Sequence, residues 1–191
     1  MAWDDKLIQI KSSRSKCENY RWTLDLNLSD KEYKLIFIGL NPSLSNSYFL
    51  DNTTKKIIQI TEKNNYGKLT IINLFAVISK DPKILFSHED PVGTHNDMVI
   101  KKSIKFWSQN FKCNLWLGWG NNGTFLERNK YVYKLTKKYF HTKKNNFKNI
   151  IAPLLIRKTK LNHPIHPLYC RNDSNLVEDL SFIKEDLIKA N

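Results

Sequence analysis

The residues in this chain whose types could do chemistry follow four apolar runs, each of them long enough for a buried strand. Leu35 to Gly39 runs into Leu40-Asn41-Pro42-Ser43, where proline lacks the N–H that a central ladder would need. Leu69 to Val77 carries Asn73, Leu115 to Trp119 runs into Gly118 to Asn121, and Ile150 to Ile156 is followed by His166-Pro167. Each site has a plain structural explanation. The first turn can be only a turn, Asn73 can satisfy buried backbone groups, His166 can be a loop histidine and the tryptophans can be core. In open α/β sheets, however, ligands sit beyond the carboxyl ends of the strands. Two asparagines and a histidine converging there read as one polar pocket.

Other chemistries lack their residues. No G-x-x-x-x-G-K-[ST] or G-x-G-x-x-G is present to cradle a phosphate, and no serine sits in a G-x-S-x-G elbow. His163 and His166 stand three apart with Asp173 downstream, but Pro164 and Pro167 break helical presentation, so neither a metal site nor a cofactor is expected. Cys17, Cys113 and Cys170 form no C-x-x-C pair, which suits a reduced, cytoplasmic setting.

The chain has 191 residues, a formal charge of +13 and a pI near 9.6. Such a balance points to a polyanionic partner, DNA first, although a surplus of lysine over arginine together with abundant asparagine is also what an AT-rich coding bias produces. The basic loop Arg157, Lys158, Lys160 is a candidate contact. The tract Lys137 to Lys148 reads either as a phosphate contact or as a solvated helix end. Asp4, Asp5 and Lys6 stand where a signal peptide needs an apolar core, and no apolar run approaches the ~20 residues of a membrane span. A soluble monomer is the default.

The elements that position these residues alternate strand and helix, which predicts one α/β domain over 1–191, a three-layer α/β/α arrangement around a mostly parallel four-stranded sheet. Residues 1–34 form a peripheral segment, a strand or hairpin at the edge. A helix starts from a threonine cap at Thr53 or Thr54. A second follows the capping-box-like pair Thr94 and Asp97 and presents Ile100, Ile104, Trp107 and Phe111. A third runs from about Thr124 with Val132, Leu135 and Tyr139 inward, and a closing helix presents Leu176, Leu180, Ile183 and Leu187.

The wording of these segments resembles the uracil-DNA glycosylase superfamily. Gly39-Leu40-Asn41-Pro42-Ser43-Leu44-Ser45 is similar to the G-I-N-P-G-L-S turn of the mismatch-specific thymine and uracil glycosylases. Thr70-Ile71-Ile72-Asn73 resembles the base-reading strand of the uracil-specific branch, Leu117-Gly118-Trp119-Gly120 its W-G strand end, and His166-Pro167-Leu168-Tyr169 its H-P-S loop. From about residue 20 to 171 the pattern also resembles a family of uncharacterised proteins that share these motifs. The glycosylase resemblance implies a uracil-DNA glycosylase-like fold and cleavage of the N-glycosidic bond of a modified or mismatched pyrimidine. Asn41 would position water, Asn73 would pair with the base edge and His166 would donate to the base carbonyl. Gly39, Leu40, Pro42 and Ser43 would shape the base site, with Tyr48 or Phe49 stacking on the base. Gly120, Asn121, Lys158 and Lys160 would meet the nucleic acid, and Tyr169 or Arg171 would fill the space left in the duplex.

The chain departs from the glycosylase pattern in places. The fastest uracil enzymes carry aspartate where this chain has Asn41, and an amide holds water without deprotonating it. Ser43 leaves room for a larger 5-substituent than uracil has, and Leu168 replaces the serine of H-P-S. Asp51, the nearest carboxylate to the turn, either activates water or caps the following helix. A non-catalytic binder of modified bases, and an enzyme on free nucleosides or nucleotides, are the alternative readings.

Overall fold

A computed structural model describes residues 9–45, 50–81 and 83–183. Its centre is a sheet of β1 (Gln9–Arg14), β2 (Arg21–Asn27), β3 (Lys34–Gly39), β4 (Lys68–Asn73), β5 (Cys113–Leu117), β6 (Leu154–Leu155) and β7 (Val177–Glu178). The strand order is β1-β2-β4-β3-β5-β6-β7. The four expected strands are its parallel middle, β4-β3-β5-β6. The sheet is larger than four strands because antiparallel partners cover both edges. A β1–β2 hairpin pairs with β4, and β7 pairs with β6.

β3 and β5 are buried on both faces, which explains their unbroken apolar sequence. Leu35, Phe37, Leu69, Ile71 and Trp116 meet Ile57, Ile58 and Ile60 of helix α1 (Asn52–Lys63). On the other face Ile36, Ile38, Ile72, Leu115 and Leu117 share one core with helix α3 (Asn96–Ser108) and helix α4 (Arg128–Asn146). A single-turn helix, α2 (Ile84–Ser87), lies between β4 and α3. Ile100, Ile104 and Trp107 are each 0 % exposed. Burying side chains of this kind contributes roughly 1.5–3 kcal/mol apiece.

Several local expectations are corrected. Asp51, not a threonine, caps α1, its carboxylate accepting the Thr54 N–H. Thr94 caps nothing: α3 begins after His95, and Asp97 in its first turn ion-pairs with Arg128 at 2.5 Å. Phe111 lies beyond the end of α3 and is exposed. The helix expected from Thr124 begins at Arg128, because residues 121–127 form a separate tight turn in which Leu126 and Glu127 take left-handed backbone angles. Pro153 keeps β6 to two residues. Val177 and Glu178 pair with β6 as a strand, so no helical face starts at Leu176, and Leu187 lies outside the described residues.

Candidate functional site

Because β3, β4 and β5 are parallel, the residues that follow them emerge at one edge. Pairing continues past the strand ends: the Leu74 N–H donates to Gly39 O at 3.0 Å and the Phe75 N–H to Leu40 O at 2.9 Å. This fixes where the turn after β3 leaves the sheet. The Asn41 amide Nδ2 donates to Ser79 O at 3.0 Å and to Pro42 O at 3.2 Å. The Ser79 N–H returns to Pro42 O at 3.0 Å. With its N–H groups aimed at carbonyls, Asn41 keeps Oδ1 as its free acceptor.

The rest of the turn hangs on three charged side chains, one of them, Arg21, buried. Asp51 Oδ2 accepts the Ser43 hydroxyl, the Ser45 N–H at 3.1 Å and the Ser45 hydroxyl at 2.5 Å, while Oδ1 accepts the Thr54 N–H at 2.9 Å. Burial opposes its charge, but these donors outweigh it and hold the carboxyl below the usual carboxylate range. Above the turn, Arg21 Nη1 donates to Ser45 O at 2.6 Å, and Arg14 Nη2 donates to the same oxygen at 2.9 Å. Arg21 is 2 % exposed, and burial pushes its guanidinium down to about 10, against the pull of Asp51, so it remains charged at neutral pH.

His166 faces this turn from the far side of the sheet edge. It caps a tight turn, Pro167–Tyr169, and its Nδ1 accepts the Leu168 N–H at 3.3 Å. Burial pushes the imidazole down to about 4, so it is neutral at pH 7. With Nδ1 accepting, the proton sits on Nε2, and His166 is a neutral donor. Three devices position it. Pro167 packs on Gly118, where a Cβ would stand 3.4 Å from Pro167 Cδ and 2.5 Å from Phe37 Cε2. Gly120, at φ +73°, gives its N–H to Pro164 O at 2.8 Å. Lys56 Nζ reaches from α1 to Leu168 O at 3.3 Å and Cys170 O at 2.7 Å.

Between the two turns lies a cleft of ≈ 480 Å³. Of the sequence candidates, Leu40, Asn41, Ser43, Gly120, Asn121, His166 and Tyr169 line it together. Gly39 and Asn73 are a register pair behind it, Asn73 buried with its Nδ2 unpartnered and its Oδ1 2.7 Å from where a Gly39 Cβ would stand. Pro42 is buried. Asp51 is the cap and clamp described above, the second of its two readings, and does not line the cleft. Lys158 opens on a neighbouring groove and ion-pairs with Asp179 at 3.0 Å. Lys160 is exposed, and so is Arg171, which pairs with Asp173. Tyr48 and Phe49 lie outside the described residues.

The sequence reading missed Thr53, Ser79, Lys80, Asn122 and Thr159 in the lining. Among the described residues, Lys80 and His166 are the only ionisable groups there apart from the Tyr169 phenol. Thr159 donates its hydroxyl to Asn121 Oδ1 at 2.7 Å, which leaves the Asn121 amide N–H groups for a ligand. Ser79 and Thr159 come to the cleft through contacts distant along the chain, to Asn41 and Asn121, which no local sequence pattern marks. Among the described residues no group of three or more His, Cys, Asp or Glu is placed to hold a metal ion, and no helix is long and apolar enough to cross a membrane.

A family profile described as "Protein of unknown function (DUF1643)" matches residues 21–168. The chain belongs to the DUF1643 family. The matched span opens at Arg21, which holds the turn, and closes just past His166, so the family's common region includes both walls of the cleft. No curated protein and no solved structure matches the chain.

Proposed function

We propose that this member of the DUF1643 family hydrolyses the N-glycosidic bond of a modified or mismatched pyrimidine in DNA, with the base seated in the cleft between the Asn41 and His166 turns. The observation that carries the reading is the polarity of that cleft: an uncommitted amide acceptor on one wall and a neutral imidazole donor on the other. Breaking the C1′–N bond leaves positive charge on the sugar and negative charge on the base. Asn41 Oδ1 holds a water by one of its protons, with the water's lone pair toward C1′. The His166 Nε2–H donates to the carbonyl oxygen on which the departing base gathers charge. His166 keeps its proton throughout, because an imidazole held this far below neutral pH stabilises an anion by hydrogen bonding. Asn41 takes no proton either. The water's oxygen bonds to C1′ as the base leaves, and the surplus proton passes to the base or to solvent. The formal charge of +13 supports a polyanionic substrate, from which the target nucleotide is turned out of the stack.

The test is incubation with duplexes and single strands carrying uracil, mismatched thymine, hypoxanthine or 5-hydroxymethyluracil, followed by alkaline scission at abasic sites. Release of one of the three pyrimidines, lost in Asn41→Ala and His166→Ala, is expected, with the purine hypoxanthine left in place. No abasic product on any strand, with tight salt-sensitive binding retained, would overturn the hydrolase and leave a base-binding protein.

A further inference from the structure

Behind the loop that carries Thr159 into the cleft lies a second cavity, an open groove of ≈ 530 Å³ between α4 and residues 158–163. One wall is the face of α4 on which Lys130, Lys134 and Lys137 recur at four and three residues. The other wall is a narrow hairpin-like loop carrying Lys158 and His163. It is closed by a Lys158–Pro164 bridge, by Thr159 N–H to His163 O at 2.7 Å and by Ile165 N–H to Arg157 O at 3.0 Å. Tyr133 lines the groove, and Leu161 stands 66 % exposed beside it.

Among the described residues two carboxylates pair with Lys130 and Lys158 of this wall. Glu127 pairs with Lys130, but both side chains are over 70 % exposed, at 72 % and 73 %, and such pairs give way readily to a phosphate. Asp179, itself buried, pairs with Lys158 at 3.0 Å. Lys134 has no carboxylate partner among the described residues. Tyr133 itself packs on Trp119 and Phe182, so what the groove offers a strand is charge: a positively charged groove tracks the backbone of a single nucleic-acid strand. The loop borders both cavities: Thr159 lines the cleft, and its neighbour Lys158 lines the groove.

We infer that the groove between α4 and residues 158–163 is a backbone-phosphate site for a single strand of nucleic acid whose adjoining nucleotide sits in the cleft. This rests on the functional reading above and extends it, since it assigns the path of the strand beyond the target base. Lys130 and Lys134, one helical turn or about 6 Å apart, would take successive phosphates.

Fluorescence anisotropy with labelled single strands tests it, using one strand of about three nucleotides, which fills only the cleft, and one of about twelve, which also reaches the groove. The variant Lys130→Glu/Lys134→Glu changes two exposed side chains away from the core. The expected result is a loss of tenfold or more in affinity for the long strand at low salt. The slope of log K against log salt should shrink by about 1.4, from about 0.7 per phosphate contact on a single strand. Binding of the short strand and base release from it should be unchanged. Equal affinity of variant and parent for the long strand would overturn the inference, and so would an equal loss on both strands or a parent that does not bind the long strand. Base release by the parent, measured on the same strands, decides the reading of the cleft separately.

Discussion

Replacing Asn41 by aspartate probes the orientation on which the whole site depends. In the parent the Asn41 Nδ2 faces two carbonyl oxygens, Ser79 O at 3.0 Å and Pro42 O at 3.2 Å. A carboxylate there loses both donors and sets its own charge against two carbonyl dipoles. Each lost hydrogen bond is worth about 1 kcal/mol net, and a buried acceptor left without a donor costs about 1–3 kcal/mol more. The sum for the ionised variant is about 3–5 kcal/mol. A protonated carboxyl recovers one donor, so the penalty then falls to about 1–2 kcal/mol. The sign follows from this difference. The folded protein favours the protonated form, so the pKa of Asp at 41 is raised above its unfolded value of ~3.9 and stability is lost as pH rises through that window. Urea unfolding of parent and variant at about pH 4.5 and about pH 7.5 reads the effect as a difference of differences, from which the titration of every other group cancels to first order. A larger destabilisation at the higher pH is expected. The same penalty at both pH values, or a variant more stable than the parent at neutral pH, would show that the amide does not point its N–H groups at Ser79 and Pro42, and the free Oδ1 would go with it.

Three further outcomes follow from named contacts. Because His166 is depressed to about 4 from an ordinary 6.5, the unfolded chain binds the extra proton between those values. Folding stability should therefore fall as pH drops through that window, and His166→Gln should flatten the dependence in urea titrations. Base release should keep its His166-dependent rate down to about pH 5. Lys143, 1 % exposed, donates to Trp107 O, Asn110 O and Cys113 O at 2.7–2.9 Å, tying α4 to the end of α3 and the start of β5. Lys143→Met should cost about 2–4 kcal/mol by thermal melting followed by circular dichroism. Gly118→Ala pushes a methyl group into Phe37 and should cost about 1–3 kcal/mol, partly restored by Phe37→Leu in the same background.

What was legible in the sequence was what local pattern and strand order can carry. Parallel strands put Asn41 and His166 on one edge, and apolar runs buried on both faces announced β3 and β5. Asp51 shows where that kind of reading stops. A carboxylate just after the turn and just before a helix fits a base and a cap equally well, and only its bonds to Ser43, Ser45 and Thr54 decide. Lys80 was invisible because nothing in its neighbourhood says that Asn41, 38 residues earlier than Ser79, holds the adjoining carbonyl. The start of α4 was misplaced because Leu126 and Glu127 adopt left-handed angles that their side chains disfavour, a choice made by tertiary contacts against local preference. The two-residue strands β6 and β7 are too short to leave a periodic trace.

The first turns of α1 work as a ruler for the cleft. Asp51 and Thr54 fasten the wall that carries Asn41, and Lys56, half a turn further on, fastens the wall that carries His166. The width of the opening is therefore written in the angular step of a helix, about 100° per residue. One residue inserted between Thr54 and Lys56 would turn one fastening about 100° from the other, so that with Ile57, Ile58 and Ile60 kept in the core it is the Asp51 fastening that is lost.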